Sequence, residues 1–447
     1  MELKGKKVLV LGLGKSGKAA IRLLAYFGAK LTINDGHKAE DIPEYQDYLD
    51  QGFEVVAGGQ PEELFEIDFD FVVKVPGINY HAPCILRLKE RGIPVYTEIE
   101  LGYQVAQPQH YVAVTGTNGK TTTVSLIYEI LKANKDHVYI GGNYGIPYCD
   151  IVMDHKLYEN AGATIVLEMS NFQLLDIATF HPQVAAVTNL TPDHLDYMDS
   201  LDEYYASKMR IYENCDEHDT FIRNEDDETL SCYLAKYPPK ANVETFSTKQ
   251  GANCELKGST IYYNDEKVID RKDIKIVGMH NVQNIMLAII ACAHSGVSIE
   301  NIAKGISEFK GVEHRLEYVR EVNGVKYYND SKGTNTDAAV IAIKAFDTPV
   351  ILLMGGHEKN LDVADVAKYN DRIKTLITFG EAGARFGHDM HHPHTYVCEH
   401  MKDAVLKAHE IAQPGDIVLL SPSTSSFDEF NNMAERGNAF KDLVKTF

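Results

Sequence analysis

Residues 113–133 read AVTGTNGKTTTVSLIYEILKA, and this stretch decides the fold. An apolar strand runs into Gly116, a second glycine follows at 119, and Lys120 with Thr121 opens a long helical pattern. Successive backbone N–H groups in such a loop, with the N-terminus of the helix behind them, cradle phosphate. Lys120 supplies a point charge to the β- and γ-phosphates, and Thr121 offers a hydroxyl to magnesium. Thr117, Asn118 and Thr122 complete the loop, so 116–122 reads as an ATP site. The rival reading is an ordinary glycine turn. The usual form of this loop starts with glycine where Val114 stands here.

The alternation of strand, glycine and helix continues outward in both directions. KKVLVLG and AKLTIND precede the loop; ATIVLEMS, VAAVTNL, PVILLMGG, KTLITFG and DIVLLSP follow it. Continuous apolar strands between helices imply α/β architecture with parallel sheets covered on both faces. A chain of 447 residues is too long for one core. We expect three domains, at 1–107, 108–311 and 312–447. The first is Rossmann-like, the central one a P-loop ATPase-like parallel sheet, and the third Rossmann-like again. The segment FSTKQGANCELKGSTIYYNDEKVID, residues 246–270, reads as a small β appendage on the central domain.

Hydrophobic residues make up 44% of the chain, enough for real cores, and the net charge of −20 argues against a nucleic-acid binder. It leaves room for an anionic small substrate, which needs only a local positive site. The seven cysteines are odd in number and form no CxxC pair, which fits free thiols in a reducing cytosol. The start, MELKGKKVLVLGLGKSG, turns glycine-rich too soon for a secretory signal. No apolar run approaches the roughly 20 residues that span a bilayer. The expectation is a cytoplasmic protein without membrane insertion.

GLGKSG places Gly12, Gly14 and Gly17 between a strand and a helix, with Asp35 ending the next strand. This is the dinucleotide fingerprint in its proper context. It specifies a diphosphate beside a ribose and is silent about nicotinamide, so a UDP-linked molecule satisfies it equally. Gly14, Lys15, Ser16, Asp35 and Gly36 are its candidate contacts. A nicotinamide dehydrogenase would explain this loop and leave GTNGKT without purpose.

Glu168 ends one apolar strand and His194 follows another. Parallel strands bring such ends to one edge of the sheet. Taken singly, the first reads as a surface strand end and the second as a turn residue. Beside a phosphate cradle they become candidate ligands for a divalent ion. YYASKMRIYE, residues 204–213, adds an anomaly: on a helix Lys208 shares its face with Tyr204, Tyr205, Ile211 and Tyr212. Either its methylenes lie on that face with the charge in water, or the amine is desolvated and functional.

The variant loop TGTNGKT resembles that of the Mur ligases, the ATP-dependent amide ligases that build the peptidoglycan stem peptide, and of their relative folylpolyglutamate synthase. The resemblance extends over nearly the whole chain and implies three domains with ATP in the middle one. It implies two magnesium sites held by Thr121, Glu168, His194 and Lys208, with Lys208 carbamylated. It places Asn281 and Asn284 by the adenine, although asparagine at a helix start also reads as a plain cap. It places Asp330 on the ribose and Arg315 and Lys332 on phosphate. At the UDP site it implies Pro76 and Gly77, after Val75 where the family has serine, so a phosphate contact could pass to Lys15 or Lys74. It implies that Asn143 touches the muramoyl group.

The third domain carries no DNPR, the motif of the diaminopimelate-adding branch. Its SPSTSSFDEFNNMAERGNAF, residues 421–440, is similar to the loop of the D-glutamate-adding branch. That similarity implies Thr334, Lys359, Ser426 and the Phe427 backbone as contacts for D-glutamate, with Met433 replacing a family phenylalanine. The implied substrates are ATP, UDP-N-acetylmuramoyl-L-alanine and D-glutamate, with Lys120, His194 and Lys208 catalytic in a monomer. The alternatives are another Mur-type ligase, folylpolyglutamate synthase, or a non-catalytic nucleotide-gated binding protein.

Overall fold

The computed structural model describes residues 1–191, 198 and 200–447. The chain forms two compact units, Met1–Val268 with Gln283–Ala303, and Ile269–Val282 with Lys304–Phe447. They carry three α/β sheets.

The first sheet runs, edge to edge, Glu54–Ala57, Lys30–Asp35, Lys7–Leu11, Phe71–Lys74 and Val95–Tyr96, all parallel. Successive side chains of a strand face opposite sides, and Lys7–Leu11 shows the consequence. Val8 and Val10 join a core with Ala20, Leu23 and Leu24, while Leu9 and Leu11 join another with Ile85 and Leu88. A strand buried on both faces has no polar side to show, hence the unbroken KVLVL. The order of the strands reverses between Lys30–Asp35 and Phe71–Lys74, so a crevice opens beyond the end of Lys7–Leu11, where GLGKSG lies.

The second sheet has nine strands, in the order Glu266–Asp270, Thr260–Tyr263, Cys254–Lys257, Asn242–Ser247, Thr220–Asn224, Val184–Val187, His110–Thr115, Thr164–Glu168 and Val138–Gly142. The expected appendage extends this sheet. Cys254–Lys257 pairs parallel with Asn242–Ser247 and antiparallel with Thr260–Tyr263. At the centre, Val114 is in register with both Glu168 and Ala186. The loops after Thr115, Glu168 and Val187 therefore leave the sheet side by side.

The third sheet runs Glu317–Val322, Val325–Asn329, Ile417–Leu420, Val350–Gly355, Ile373–Phe379 and Thr395–Val397. Only the first pair is antiparallel. Its strands alternate between two cores as in the first sheet, Leu352 and Met354 facing one, Ile351 and Leu353 the other. All seven cysteines are free thiols. Among the described residues no helix is long and apolar enough to cross a membrane.

Candidate functional site

The loop 116–122 joins the strand His110–Thr115 to the helix Lys120–Asn134. Gly116 has φ 137° and Gly119, the residue capping the helix, has φ 84°. A Cβ at 116 would lie 2.0 Å from Thr188 Oγ1, and one at 119 would lie 2.3 Å from Asn284 Oδ1. Backbone strain and steric closure both demand glycine. The end of the next strand braces the loop. Thr188 Oγ1 donates to the Asn118 carbonyl at 2.6 Å, and the Asn118 N–H donates to Asn189 Oδ1 at 3.0 Å. The Thr191 N–H donates to Thr117 Oγ1, also at 3.0 Å.

Two ammonium groups meet on one oxygen of this loop. Lys120 Nζ donates to the carbonyls of Gly116 at 3.0 Å and Thr117 at 2.9 Å. Lys208 Nζ donates to the same Gly116 carbonyl at 2.9 Å and lies 4.5 Å from the centre of the Tyr204 ring. Lys208 is only 1% exposed, so its charge is not in water and the surface reading fails. Its helix, Leu201–Met209, starts at Ser200, whose side chain accepts from the Glu203 N–H, and ends one residue beyond Lys208. Ile211 and Tyr212 stand on the 3₁₀ turn Arg210–Tyr212 that follows. Two lysines converging on one carbonyl of a partly exposed glycine loop make a candidate site for anions.

Glu168, 3% exposed, faces the start of the helix Lys120–Asn134 because its strand is in register with Val114. Its carboxylate accepts from Thr121 Oγ1 at 2.8 Å and from Asn143 Nδ2 at 2.7 Å. A hydroxyl and a carboxylate side by side are hard oxygen donors, the set that suits magnesium. Asn143, expected at the muramoyl group, is thus hydrogen-bonded to Glu168. His194 lies outside the described residues. Of the two asparagines expected at the adenine, Asn284 packs against Gly119, and Asn281 Nδ2 donates to the Val277 carbonyl at 2.7 Å.

In the first sheet's crevice Gly12, Gly17 and Val75 interlock. A Cβ on Gly12 would fall 2.4 Å from Val75 Cγ2, and one on Gly17 would fall 2.0 Å from the Gly12 carbonyl. Asp35 ties the loop to the next strand by accepting from the Leu13 N–H at 2.7 Å and the His37 N–H at 2.9 Å. Burial pushes its pKa up, but those N–H groups together with the His37 ring outweigh burial and hold it below the usual value. Lys15 opens the following helix and is exposed, with Ser16 half-buried beside it. Lys74 ends the strand that neighbours Lys7–Leu11. It is 1% exposed and pairs with Asp176 at 3.1 Å, so its charge joins the first sheet's loop to the segment after Glu168. Pro76 and Gly77 form the turn beyond it, closed by the Ile78 N–H on the Val75 carbonyl.

In the second unit three strand ends, at Asn329, Gly355 and Leu420, lead into loops that are laced together. The Ser423 N–H donates to the Gly333 carbonyl, the Gly355 N–H to Pro422, and the His357 N–H to Ser425. Thr424 Oγ1 closes back on the His357 carbonyl at 2.6 Å. Three of the segments expected to contact D-glutamate are thereby adjacent, with Thr334 half-buried, Lys359 exposed, Ser426 buried and Phe427 67% exposed. Asp330, 5% exposed, accepts from Ser421 Oγ at 2.8 Å and from the Leu316 N–H at 3.2 Å. Burial nevertheless raises its pKa to about 7. Arg315 precedes Leu316, and the Lys332 N–H donates to the His314 carbonyl at 2.9 Å. The fully buried Arg436, which the sequence reading passes over, sits beneath these loops.

Family models match three consecutive stretches: "Mur ligase MurD-like, N-terminal domain" over residues 6–97, "Mur ligase middle domain" over 114–292, and "Mur ligase, glutamate ligase domain" over 314–424. The chain is 38% identical over 445 residues to a UDP-N-acetylmuramoylalanine–D-glutamate ligase of Geobacillus kaustophilus, covering 98% of this chain and 97% of that protein. It is 38% identical over 447 residues to the ligase of the same name from Streptococcus agalactiae, covering 99% and 98%. Among solved structures it resembles the UDP-N-acetylmuramate–alanine ligase MurC from Thermotoga maritima, with TM-score 0.56, 18% identity and 99% of each chain covered. A UDP-N-acetylmuramoyl-L-alanyl-D-glutamate–2,6-diaminopimelate ligase gives TM-score 0.58 at 17% identity, covering 98% of this chain and 92% of that one.

Proposed function

The chain belongs to the Mur ligase family, and from that premise we propose that it adds D-glutamate to UDP-N-acetylmuramoyl-L-alanine with ATP, in peptidoglycan precursor synthesis. The observation that carries this reading is the meeting of Lys120 and Lys208 on the Gly116 carbonyl beside the Thr121–Glu168 pair. A charged Lys120 beside hard oxygen donors is what a triphosphate and its counter-ion require, and the buried Lys208 at the same carbonyl supports the reading.

The L-alanyl carboxylate attacks the γ-phosphate of ATP, whose bond to the β-phosphate breaks so that ADP leaves, and gives an acyl phosphate, a far better electrophile than a carboxylate. The D-glutamate amine attacks that carbonyl, and the tetrahedral adduct expels phosphate. Gly116 and Gly119 let the backbone approach the phosphates, Lys120 neutralises charge on them, and Asn281, Asn284, Asp330, Arg315 and Lys332 are assigned to the rest of the nucleotide. Thr121, Glu168 and His194, with Lys208 once carbamylated, would hold magnesium at two sites. The ion supplies charge stabilisation to the transferring phosphoryl group. A carbamate forms only from the neutral amine, which desolvation of Lys208 favours. Thr334, Lys359, Ser426 and Phe427 take the carboxylates of D-glutamate, and the loops holding Gly14, Lys15, Ser16, Asp35, Gly36, Pro76 and Gly77, with Asn143, take the UDP-linked substrate. The catalysis is positioning and charge stabilisation, with no nucleophilic side chain. We place the enzyme in the cytoplasm as a monomer, with domains at 1–107, 108–311 and 312–447.

Phosphate release tests the reading. With UDP-N-acetylmuramoyl-L-alanine and ATP present, D-glutamate should trigger release, and oxygen-18 from the alanyl carboxylate should appear in the phosphate. Release with diaminopimelate or a pterin substrate instead, or unlabelled phosphate, would overturn it.

A further inference from the structure

Arg436 stands near the start of the helix Met433–Lys445 and is 0% exposed, the largest fully buried side chain among the described residues. Removing a guanidinium from water is costly, and the usual compensation is a carboxylate partner. Here all of the acceptors on Arg436 are neutral. Nε donates to Ser331 Oγ at 3.0 Å, Nη2 to the carbonyls of Ser331 and Thr424 at 3.0 Å each, and Nη1 to the Ser425 carbonyl at 3.1 Å. Burial lowers its pKa only to about 10, so it stays charged at neutral pH.

Four hydrogen bonds from one planar group fix two chain segments against each other. The first holds Ser331, three residues before Thr334; the second holds Thr424 and Ser425, directly before Ser426 and Phe427. The third segment closes over the same group. A Cβ at Gly356 would lie 2.9 Å from Arg436 Nη1 and 2.4 Å from the Ser425 carbonyl, so the backbone leading to Lys359 rests directly on the guanidinium. An apolar side chain of equal volume would fill this space at lower desolvation cost. What it could not do is set the spacing of three loops by directed bonds.

We propose that Arg436 is the positioning residue for the amino-acid substrate, a guanidinium fork that holds the loops of Thr334, Lys359 and Ser426 at the separation the two substrate carboxylates require. This rests on the reading of those loops given above. Arg436 touches no substrate and acts through the Ser331, Thr424 and Ser425 backbone. The Asp330 carboxyl is held by Ser421 Oγ and the Leu316 N–H, and Arg436 reaches it only through its charge and through the neighbouring Ser331. Nucleotide affinity therefore depends on the fork less directly than D-glutamate affinity does.

The test is steady-state kinetics of Arg436→Lys, which keeps the charge but has donors on a single atom that cannot span the acceptors. Loops displaced by an ångström misplace a substrate enough to cost up to about 100-fold. The expected result is a KM for D-glutamate raised about 10- to 100-fold, with KM for ATP and for the UDP-linked substrate changed less than about threefold. Arg436→Ala, purified in the presence of guanidinium chloride at millimolar concentration, should regain D-glutamate affinity in proportion to the added guanidinium. Unchanged D-glutamate KM in Arg436→Lys overturns the proposal. So does an equal rise in all three KM values, or an alanine variant on which guanidinium has no effect. If the wild-type protein uses a different amino acid, the substrate assignment fails by itself, and the same comparison on that amino acid still decides the role of Arg436.

Discussion

Lys208 and Arg436 are both fully buried cations near one end of a helix, and each donates to a backbone carbonyl of a functional loop. Their bonding differs. Lys208 makes a point contact with Gly116 and faces an aromatic ring, whereas Arg436 spreads four bonds over two segments. An amine so placed can lose its proton and react; a guanidinium cannot be deprotonated in a protein and serves only as a rigid template. On the proposals made above, the first unit's buried cation would serve chemistry and the second's geometry.

The sharpest way to break that contrast is to exchange the chemistry. Lys208→Arg keeps a buried cation near Gly116 but cannot form a carbamate. It and Lys208→Ala should lose at least about 1,000-fold in kcat, as removal of a metal-site group does. Acetate or formate at millimolar levels should restore part of the alanine variant's activity and none of the arginine variant's. Substantial turnover in Lys208→Arg would reduce Lys208 to a structural cation like Arg436.

Glu168→Gln comes next. It keeps the hydrogen bond with Thr121 but removes the anionic donor. Since loss of even an outer partner at a metal site costs 10- to 100-fold, a ligand should cost at least about 100-fold in kcat and raise the magnesium concentration needed for half-maximal rate. A magnesium titration unchanged from the wild type would remove Glu168 from the metal site.

Lys74 is a third buried cation, and it separates structure from function most cleanly. Its ion pair with Asp176 is buried on both sides. Breaking it with Lys74→Met leaves a buried carboxylate short of one partner and should cost about 3 kcal/mol in urea unfolding. The double change Lys74→Met with Asp176→Leu should recover most of that loss, because neither charge then has to be desolvated. A double variant no more stable than the single one would show that the pair contributes more than it costs to bury.

The sequence makes these residues unequally visible. The three sheets are legible because strands such as Lys7–Leu11 and Val350–Gly355 bury both faces and so cannot hide among polar residues. The phosphate loop is legible because φ 137° and φ 84° leave no alternative to glycine. Lys208 is found as a cation on an apolar helical face. The same signal exists for Arg436, which has Met433 one turn before and Phe440 one turn after, but it is submerged in a loop read for its serines. Lys74 is offered by the sequence only as an alternative phosphate contact, and its ion pair with Asp176 is invisible there. Asp176 is 102 residues away along the chain, at a distance no local pattern encodes. The hydrogen bond from Asn143 to Glu168 is hidden for the same reason: it depends on the register of neighbouring strands.

The last expected effect is one that grows with pH, and it concerns two buried carboxyls, one in each unit. Asp330 in the second unit is raised to about 7, and Glu98 in the first to about 8, in both cases chiefly by burial. An unfolded aspartate releases its proton near pH 4, whereas folded Asp330 keeps it until about pH 7. Between those values the folded state binds more protons than the unfolded one, so stability falls as pH rises, and the loss is complete above pH 7. Asparagine imitates the protonated carboxyl, with its oxygen available to the Leu316 N–H and its amide to Ser421 Oγ. Asp330→Asn should therefore unfold at the same urea concentration as the wild type near pH 4 and gain on it by at most about 1.4 kcal/mol per pH unit up to pH 7. Glu98→Gln should show the same divergence extended to about pH 8, because its proton is held one unit longer. Curves that stay parallel from pH 4 to 8 would mean that these carboxyls ionise normally. The hydrogen bonds that favour the charged form would then outweigh burial at both sites, and the two units would be alike in the one respect in which they are expected to differ by a pH unit.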